Sequence, residues 1–155
     1  MEIVKKILMW IGGLFALLIV LVTFIAISSA NYEEEQTPFI QLFVSDFSER
    51  WETEDVFNKL TNEFIENVNN TESKLALAQF KTLGKLKSIT DIELGNYNTS
   101  TDAETGEFSM KATFENGDAL INLTLKSIDD KVRVQYFKLT PSTPFSNTIS
   151  VDQSI

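Results

Sequence analysis

The apolar run from Ile7 to Ile27 carries no charge and nothing more polar than Thr23, and it restricts the folds open to this chain more than any other feature. At ~1.5 Å per residue, a helix of about 21 residues crosses a hydrocarbon core of roughly 30 Å. A helix apolar on every side has no place in a soluble domain of roughly 125 residues, because some of its surface would always lack a partner. The segment is therefore read as a transmembrane anchor over residues 7–28, marked by Ile7, Trp10, Gly12, Ala16 and Ile27.

Lys5 and Lys6 precede the run, whereas Glu33, Glu34 and Glu35 follow it. Basic residues favour the cytoplasmic side, so residues 1–6 stay inside and the chain faces outward from about Asn31. The expected location is a cell inner membrane, crossed once, with the C-terminal domain periplasmic or extracellular. Trp10 and Tyr32 fall near the two interfaces, where amphipathic rings are favoured. A cleaved signal peptide is the competing reading, with Ser28-Ser29-Ala30 as the cut site; its apolar region is longer than the about 7–15 residues usual in such leaders. Both readings export the same domain. Gly12-Gly13 with Ala16 forms a small-xxx-small pattern that permits close helix packing, although apolar segments often contain one by chance.

The chain has no cysteine, which excludes disulfides, thiolate catalysis and zinc–thiolate sites. An exported domain without disulfides suits a bacterial envelope. Histidine is absent too, and with it the commonest proton carrier near neutral pH. The formal charge is −9, and setting aside Glu2, Lys5 and Lys6 makes the exported region more negative still, by a single unit. Such a domain repels phosphate backbones and anionic lipid surfaces, so nucleic acid is not an expected partner. Asp129-Asp130, or Asp102 with Glu104, lack the spaced oxygens of a calcium loop. No glycine-rich phosphate loop or nucleophile elbow occurs, and no metal or cofactor is expected. Asn69, Asn98 and Asn122 open glycosylation triplets of a kind that arises often by chance.

Residues 29–37 read as an acidic linker and 38–140 as the exported domain. Thr37-Pro38 resembles a helix start, followed by Phe39, Ile40, Phe43, Val44 and Phe47 at helical spacing and extended by Trp51. A second helix carries Val56, Phe57, Leu60, Phe64 and Val68, with Thr53 as its N-cap and Glu54 and Asp55 complementing its dipole. A third starts at Thr71, carries Leu75, Leu77, Ala78 and Phe80, and stops near Gly84. Beyond Gly84 the period falls to about two residues. Ile92 and Leu94 begin a strand that breaks at Gly95, and Asn98 to Glu107 reads as a loop. Phe108, Met110, Ala112 and Phe114 then alternate with polar residues. Asn116-Gly117 marks a tight hairpin, and Ala119, Ile121, Leu123 and Leu125 continue the apolar face. After a turn at Asp129-Asp130-Lys131, Val132, Val134 and Tyr136 alternate with Arg133, Gln135 and Phe137. Residues 141–155 read as a mobile tail.

Helices followed by strands imply an α+β domain, with three helices packed on a curved antiparallel sheet of about four strands. That order resembles the small exported domains of unknown function in the nuclear transport factor 2-like and cystatin-like superfamily. The resemblance rests on Trp51 near a helix junction, the segment from Phe80 to Ser88 closing the third helix, and Phe114-Glu115-Asn116-Gly117-Asp118-Ala119 at a hairpin. It covers roughly Pro38 to Leu139 and implies a cone-like half barrel whose members include isomerases, dehydratases, binding domains and assembly factors. The enzymes of the superfamily place Asp, His, Tyr or Arg inside the cone. Here the inward positions are Phe108, Met110, Ala112, Phe114, Ile121, Leu123 and Val134, with only Tyr136 offering a polar tip. Asp91 or Glu93 remains as a carboxylate base, but acids on a strand rim are usually solvated surface. The expected protein is therefore not an enzyme.

The remaining surface is the outer sheet face, with Ser109, Lys111, Thr113, Asn122, Thr124, Lys126, Arg133 and Gln135. The sequence points to a membrane-anchored interaction or assembly module that uses this face. Its expected partners are the lipid bilayer through residues 7–28 and either a second copy or a membrane-protein complex. The alternative is a small-ligand binding or isomerase-like domain using the cone interior. Phe108, Met110, Phe114 and Trp51 discriminate: they fill the interior in the first case and leave a cavity of a few hundred Å³ in the second.

Overall fold

A computed structural model describes residues 2–144, with side-chain detail from Gly13 onward apart from Ile25. It contains helices followed by a four-stranded antiparallel sheet. Two units emerge, residues 1–38 and the compact domain from Phe39 onward.

The first helix, α1, spans Glu2–Arg50. Residues 29–37, expected as an acidic linker, are helical, and Pro38 lies inside α1 rather than at its start. The proline signature fails because Glu33, Glu34, Glu35 and Gln36 are themselves good helix formers and carry the helix into Pro38. The N-terminal stretch is long and apolar enough to cross a membrane. Leu14, Phe15, Leu17, Val20 and Phe24 are all more than 60 % exposed, as a lipid-facing surface requires. The side chains of Ile7, Trp10 and Gly12 lie outside the described residues, whereas Gly13 has open space where a Cβ would stand. Two hydroxyls along this stretch donate back to helix carbonyls, Thr23 to Ile19 at 2.8 Å and Ser29 to Ala26 at 3.0 Å. This is how polar groups are tolerated in apolar surroundings.

The expected second helix is two pieces, a 3₁₀ segment Thr53–Lys59 and a short helix α2, Asn62–Val68. Thr53 is not the N-cap: Glu52 precedes the 3₁₀ segment without a capping side-chain bond, and Thr61 caps α2 by accepting from the Phe64 amide at 3.2 Å. The break falls at Leu60, where the chain bridges to Val134 and the Thr61 amide donates to the Val134 carbonyl at 2.9 Å. Pairing with a sheet edge thus replaces a helical turn that the apolar spacing would have continued. Helix α3, Thr71–Phe80, is capped by Asn70 and runs through a 3₁₀ turn, Lys81–Leu83, to Gly84.

The strands β1 (Leu86–Thr99), β2 (Glu104–Phe114), β3 (Gly117–Ile128) and β4 (Lys131–Pro141) form a meander in sequence order. Strand β1 does not break at Gly95. It continues to Thr99, so the expected loop from Asn98 shrinks to a turn centred on residues 100–103. Its period-two pattern is hard to read because three register shifts interrupt its pairing with β2, and each bulge reverses the alternation. Asp91, with φ +52, sits in one of them. Bulges and charges also protect this free edge from pairing with another chain.

Two hairpins invert the sequence expectation. Between β2 and β3 the loop residues are Glu115 and Asn116, because Phe114 pairs with Gly117, and neither Asn116 nor Gly117 has positive φ. Between β3 and β4 the loop is Asp129-Asp130, with φ +49 and +59. Positive φ at both central residues is the geometry that prefers Asn-Gly. Replacing Asp129-Asp130 by Asn-Gly should therefore stabilise the protein by about 0.5–1 kcal/mol in denaturant unfolding; a loss of stability would contradict the turn assignment.

The inner sheet face supplies Phe108, Met110, Ala112, Phe114, Ala119, Ile121, Leu123, Leu125, Val134 and Leu139 to the core, against Ile40, Phe43, Val44 and Phe47 of α1. Phe137 joins them, with its ring 5.9 Å from Phe43 and 5.5 Å from Phe47 in edge contacts. Ser48, also buried, accepts from the Leu86 amide at 2.9 Å and so ties α1 to the start of β1. The composition of residues 141–155 suggests a tail, yet Pro141 ends β4 and the Ser142 amide donates to the Asp118 carbonyl. Residues 145–155 lie outside the described residues.

Candidate functional site

The outer face of the sheet holds most of the residues singled out from the sequence. Cross-strand register aligns Lys111 with Leu120, Thr113 with Asp118, Ser109 with Asn122, and Lys126 with Arg133. Thr124 stands between Glu107 and Tyr136. Gln135 departs from the set. A register shift between Thr124 and Leu125 leaves it as the extra residue, with Val134 paired to Leu125 and Tyr136 to Thr124.

That bulge overturns the reading of β4 beyond Val134. Tyr136 is 49 % exposed on the outer face, not a polar tip inside, and Phe137 and Leu139 turn inward in its place. The extra residue shifts the alternation by one, so every later side chain changes face. Phe137, which the strict alternation placed outside, is the core residue that sequence reasoning missed; its only signal was the blurring of the pattern near the end of the strand.

With Tyr136 outside, the outer face has a shallow depression of about 450 Å³ lined by Gly95, Glu107, Ser109, Asn122, Thr124 and Tyr136. Beside Phe108 and Leu123, which also line it, the depression offers hydroxyl, amide and carboxylate groups able to hydrogen-bond a polar surface. Two of the expected basic residues are already engaged. Lys111 pairs with Asp91 at 2.8 Å, and Arg133 donates from Nη1 to the Leu60 carbonyl at 3.2 Å. Lys126, half-buried, makes no ion pair with any described residue.

The interior is closely packed around the four side chains that discriminate the two readings. Phe108, Met110, Phe114 and Trp51 are each at most 4 % exposed. An apolar cavity of about 200 Å³ does occur, but it lies between α2, α3 and β4, lined chiefly by Phe47, Phe64, Val68, Leu77, Phe80 and Phe137. No carboxylate or tyrosine lines it. Neither Asp91 nor Glu93 reaches an enclosed site: both are exposed on β1. Among the described residues no group of three acids, histidines or cysteines could hold a metal ion.

The electrostatics are those of a surface. The Asp91 carboxylate accepts a hydrogen bond from Lys111 and holds its ammonium pKa above the ordinary lysine value, as Glu49 does for Lys85 at 2.7 Å. A raised lysine pKa stabilises the fold below about pH 10.4 and ceases to do so as pH rises through the raised value. Lacking histidine and cysteine, the chain has no side chain whose ordinary pKa lies between about 5 and 8. The melting midpoint should accordingly stay level from about pH 6 to 9 and fall only above about 10.5. A midpoint that climbs or drops steeply around pH 7 in a thermal scan would contradict this.

Comparison with protein-family profiles, curated proteins and solved structures finds no match for this chain.

Proposed function

We propose that this is a single-pass membrane protein, cytoplasmic at its N-terminus, whose exported domain is a non-catalytic interaction or assembly module acting through its outer sheet face. The observation that carries the reading is the contrast between the two sheet faces. The inner one is closed by Phe108, Met110, Phe114 and Trp51, whereas the outer one remains open and carries hydrogen-bonding groups. The apolar helix near the N-terminus supports the membrane assignment, and the asymmetry between Lys5-Lys6 and Glu33 to Glu35 supports its orientation. Kinship with the nuclear transport factor 2-like and cystatin-like superfamily belongs to the same proposal, supported by the order of helices before a four-stranded meander.

The partner is a second copy or a neighbouring membrane protein with an acidic, hydrogen-bonding surface. Arg133 holds the Leu60 carbonyl, so the clean test leaves it intact. Lys111→Glu with Lys126→Glu should keep the melting curve within about 1 kcal/mol of the parent, because the Lys111–Asp91 pair is solvent-exposed and the half-buried Lys126 makes no ion pair with a described residue. The same change should abolish association measured by sedimentation in detergent. Identical association states before and after would remove the outer face from the proposal.

The cavity beneath α2 and α3 supports a second reading, in which the domain takes a small apolar ligand there. Leu77→Trp would fill the cavity and abolish such binding while sparing association through the sheet.

A further inference from the structure

Where β3 turns into β4, Lys126, Lys131 and Arg133 line one cleft of about 380 Å³ together with Thr61, Asn62 and Ile128. Several other cations of this acidic chain find carboxylates: Arg50 pairs with Asp55, Lys59 with Asp46, Lys85 with Glu49 and Lys111 with Asp91. None of the three cations in the cleft forms an ion pair with a described residue, although Glu63 and Asp129 line the same space. Arg133 is half-buried and steadied by the Leu60 carbonyl at 3.2 Å through Nη1, which leaves its Nε and Nη2 donors for a ligand. Leu60 is itself fixed by its bridge to Val134. The guanidinium is therefore held by the backbone pairing that closes the edge of β4.

We propose that this cleft binds the phosphate group of a ligand through Lys126, Lys131 and Arg133. A phosphate presents three oxygens: one pair of guanidinium N–H donors takes one edge, and the two ammonium groups take what remains. A lone carboxylate offers only two oxygens to the three cations. Glu63 and Asp129 reduce the local charge, and the chain's −9 opposes anions at long range. At physiological salt that long-range opposition is screened beyond about 8 Å while contacts inside the cleft persist. Affinity for inorganic phosphate alone should consequently be on the order of 1 mM. The phosphate can belong to a lipid headgroup or to a soluble phosphate ester, since the recognition chemistry is shared.

The test uses the full chain in nonionic maltoside micelles at constant ionic strength, reading backbone amide shifts by NMR while inorganic phosphate replaces chloride. The amides of Lys126, Lys131 and Arg133 should shift saturably, and Lys131→Gln should weaken binding about 3-fold, with about 10-fold for Lys126→Gln and Lys131→Gln together. Lys131 is exposed and makes no ion pair with a described residue, so its variant keeps the fold. Doping the micelles with phosphatidic acid, whose headgroup is a phosphate monoester with three free oxygens, separates the sources. The same shifts without added phosphate assign the ligand to a headgroup, and shifts with free phosphate alone assign it to a soluble ester. Equal shifts in chloride, or a double variant that titrates like the parent, would overturn the proposal. The interaction reading would survive that result, because its own test is the association state of the Lys111 and Lys126 charge reversal.

Discussion

Replacing Trp51 by alanine should cost about 3–5 kcal/mol of stability, the range for emptying a large aromatic site in a core. Trp51 is 4 % exposed, and its ring lies 5.4 Å from Phe47, 5.8 Å from Phe80 and 5.3 Å from Phe114. Those neighbours come from α1, α3 and β2, so a single side chain joins three elements that are far apart in sequence. Its indole Nε1 donates to the Gly84 carbonyl at 3.0 Å. The residue also ends α1 with φ +57, a conformation costly for a bulky side chain by about 1–3 kcal/mol. Packing on three sides outweighs that cost. Trp51→Gly, which loses the ring but relieves the backbone, should then be less damaging than Trp51→Ala by up to about 1 kcal/mol. Denaturant unfolding in detergent measures both. A loss below about 1 kcal/mol for the alanine variant would contradict the central place given to this ring.

Gly84→Ala should destabilise by about 2–4 kcal/mol, through strain of about 1–3 kcal/mol and the loss of about one hydrogen bond. Gly84 has φ +76 and ψ −157, a region of backbone space essentially reserved for glycine. A Cβ there would overlap Glu115 Oε2 and stand 3.0 Å from Glu115 Cβ. The carboxylate tip can swing away, but it would then release the Lys85 amide, which it accepts at 3.0 Å. The same corner is tied by the Asn116 amide to the Leu83 carbonyl at 2.9 Å and by the Glu115 amide to the Lys85 carbonyl at 3.0 Å. The β2–β3 hairpin tip is thus held against the end of α3 and the start of β1. An alanine variant with an unchanged unfolding midpoint would show that this corner relaxes freely.

These two residues illustrate what is legible in the sequence. Trp51 extends an apolar stripe at helical spacing, and Gly84 sits where helical periodicity gives way to alternation, so both are visible as patterns. Their roles are not, because the partners Phe80, Phe114 and Glu115 lie about thirty or more positions away. The alternation in β2 and β3 is readable because both strands pair without a shift along their whole length. Strands β1 and β4 mislead at their bulges, where one extra residue reverses the faces without any compositional mark. Turn chemistry misleads in a similar way. Asn116-Gly117 has the strongest hairpin composition but uses Glu115-Asn116 as its loop, while Asp129-Asp130 adopts the positive-φ geometry with less suitable residues. Pro38 carries a start signal that the helix formers before it override.

The candidate face is partly legible for the same reason. Lys111, Thr113, Asn122, Thr124 and Lys126 lie on the regular strands, and period two places them together. Gln135 and Tyr136 lie at or after the bulge, and their positions follow from pairing with β3. The anion cleft depends on Leu60 and Thr61 meeting β4, a contact between segments some seventy residues apart.

The absence of cysteine gives the most direct test of the membrane-anchored, outward-facing arrangement. A single cysteine placed at Thr101, in the exposed turn between β1 and β2, can be labelled with a membrane-impermeant maleimide in intact cells, followed by alkaline carbonate extraction. An anchored domain that faces outward should be labelled from outside, and the labelled full-length chain should stay in the membrane pellet. Labelling only after lysis, or release of the chain by carbonate, would contradict that arrangement.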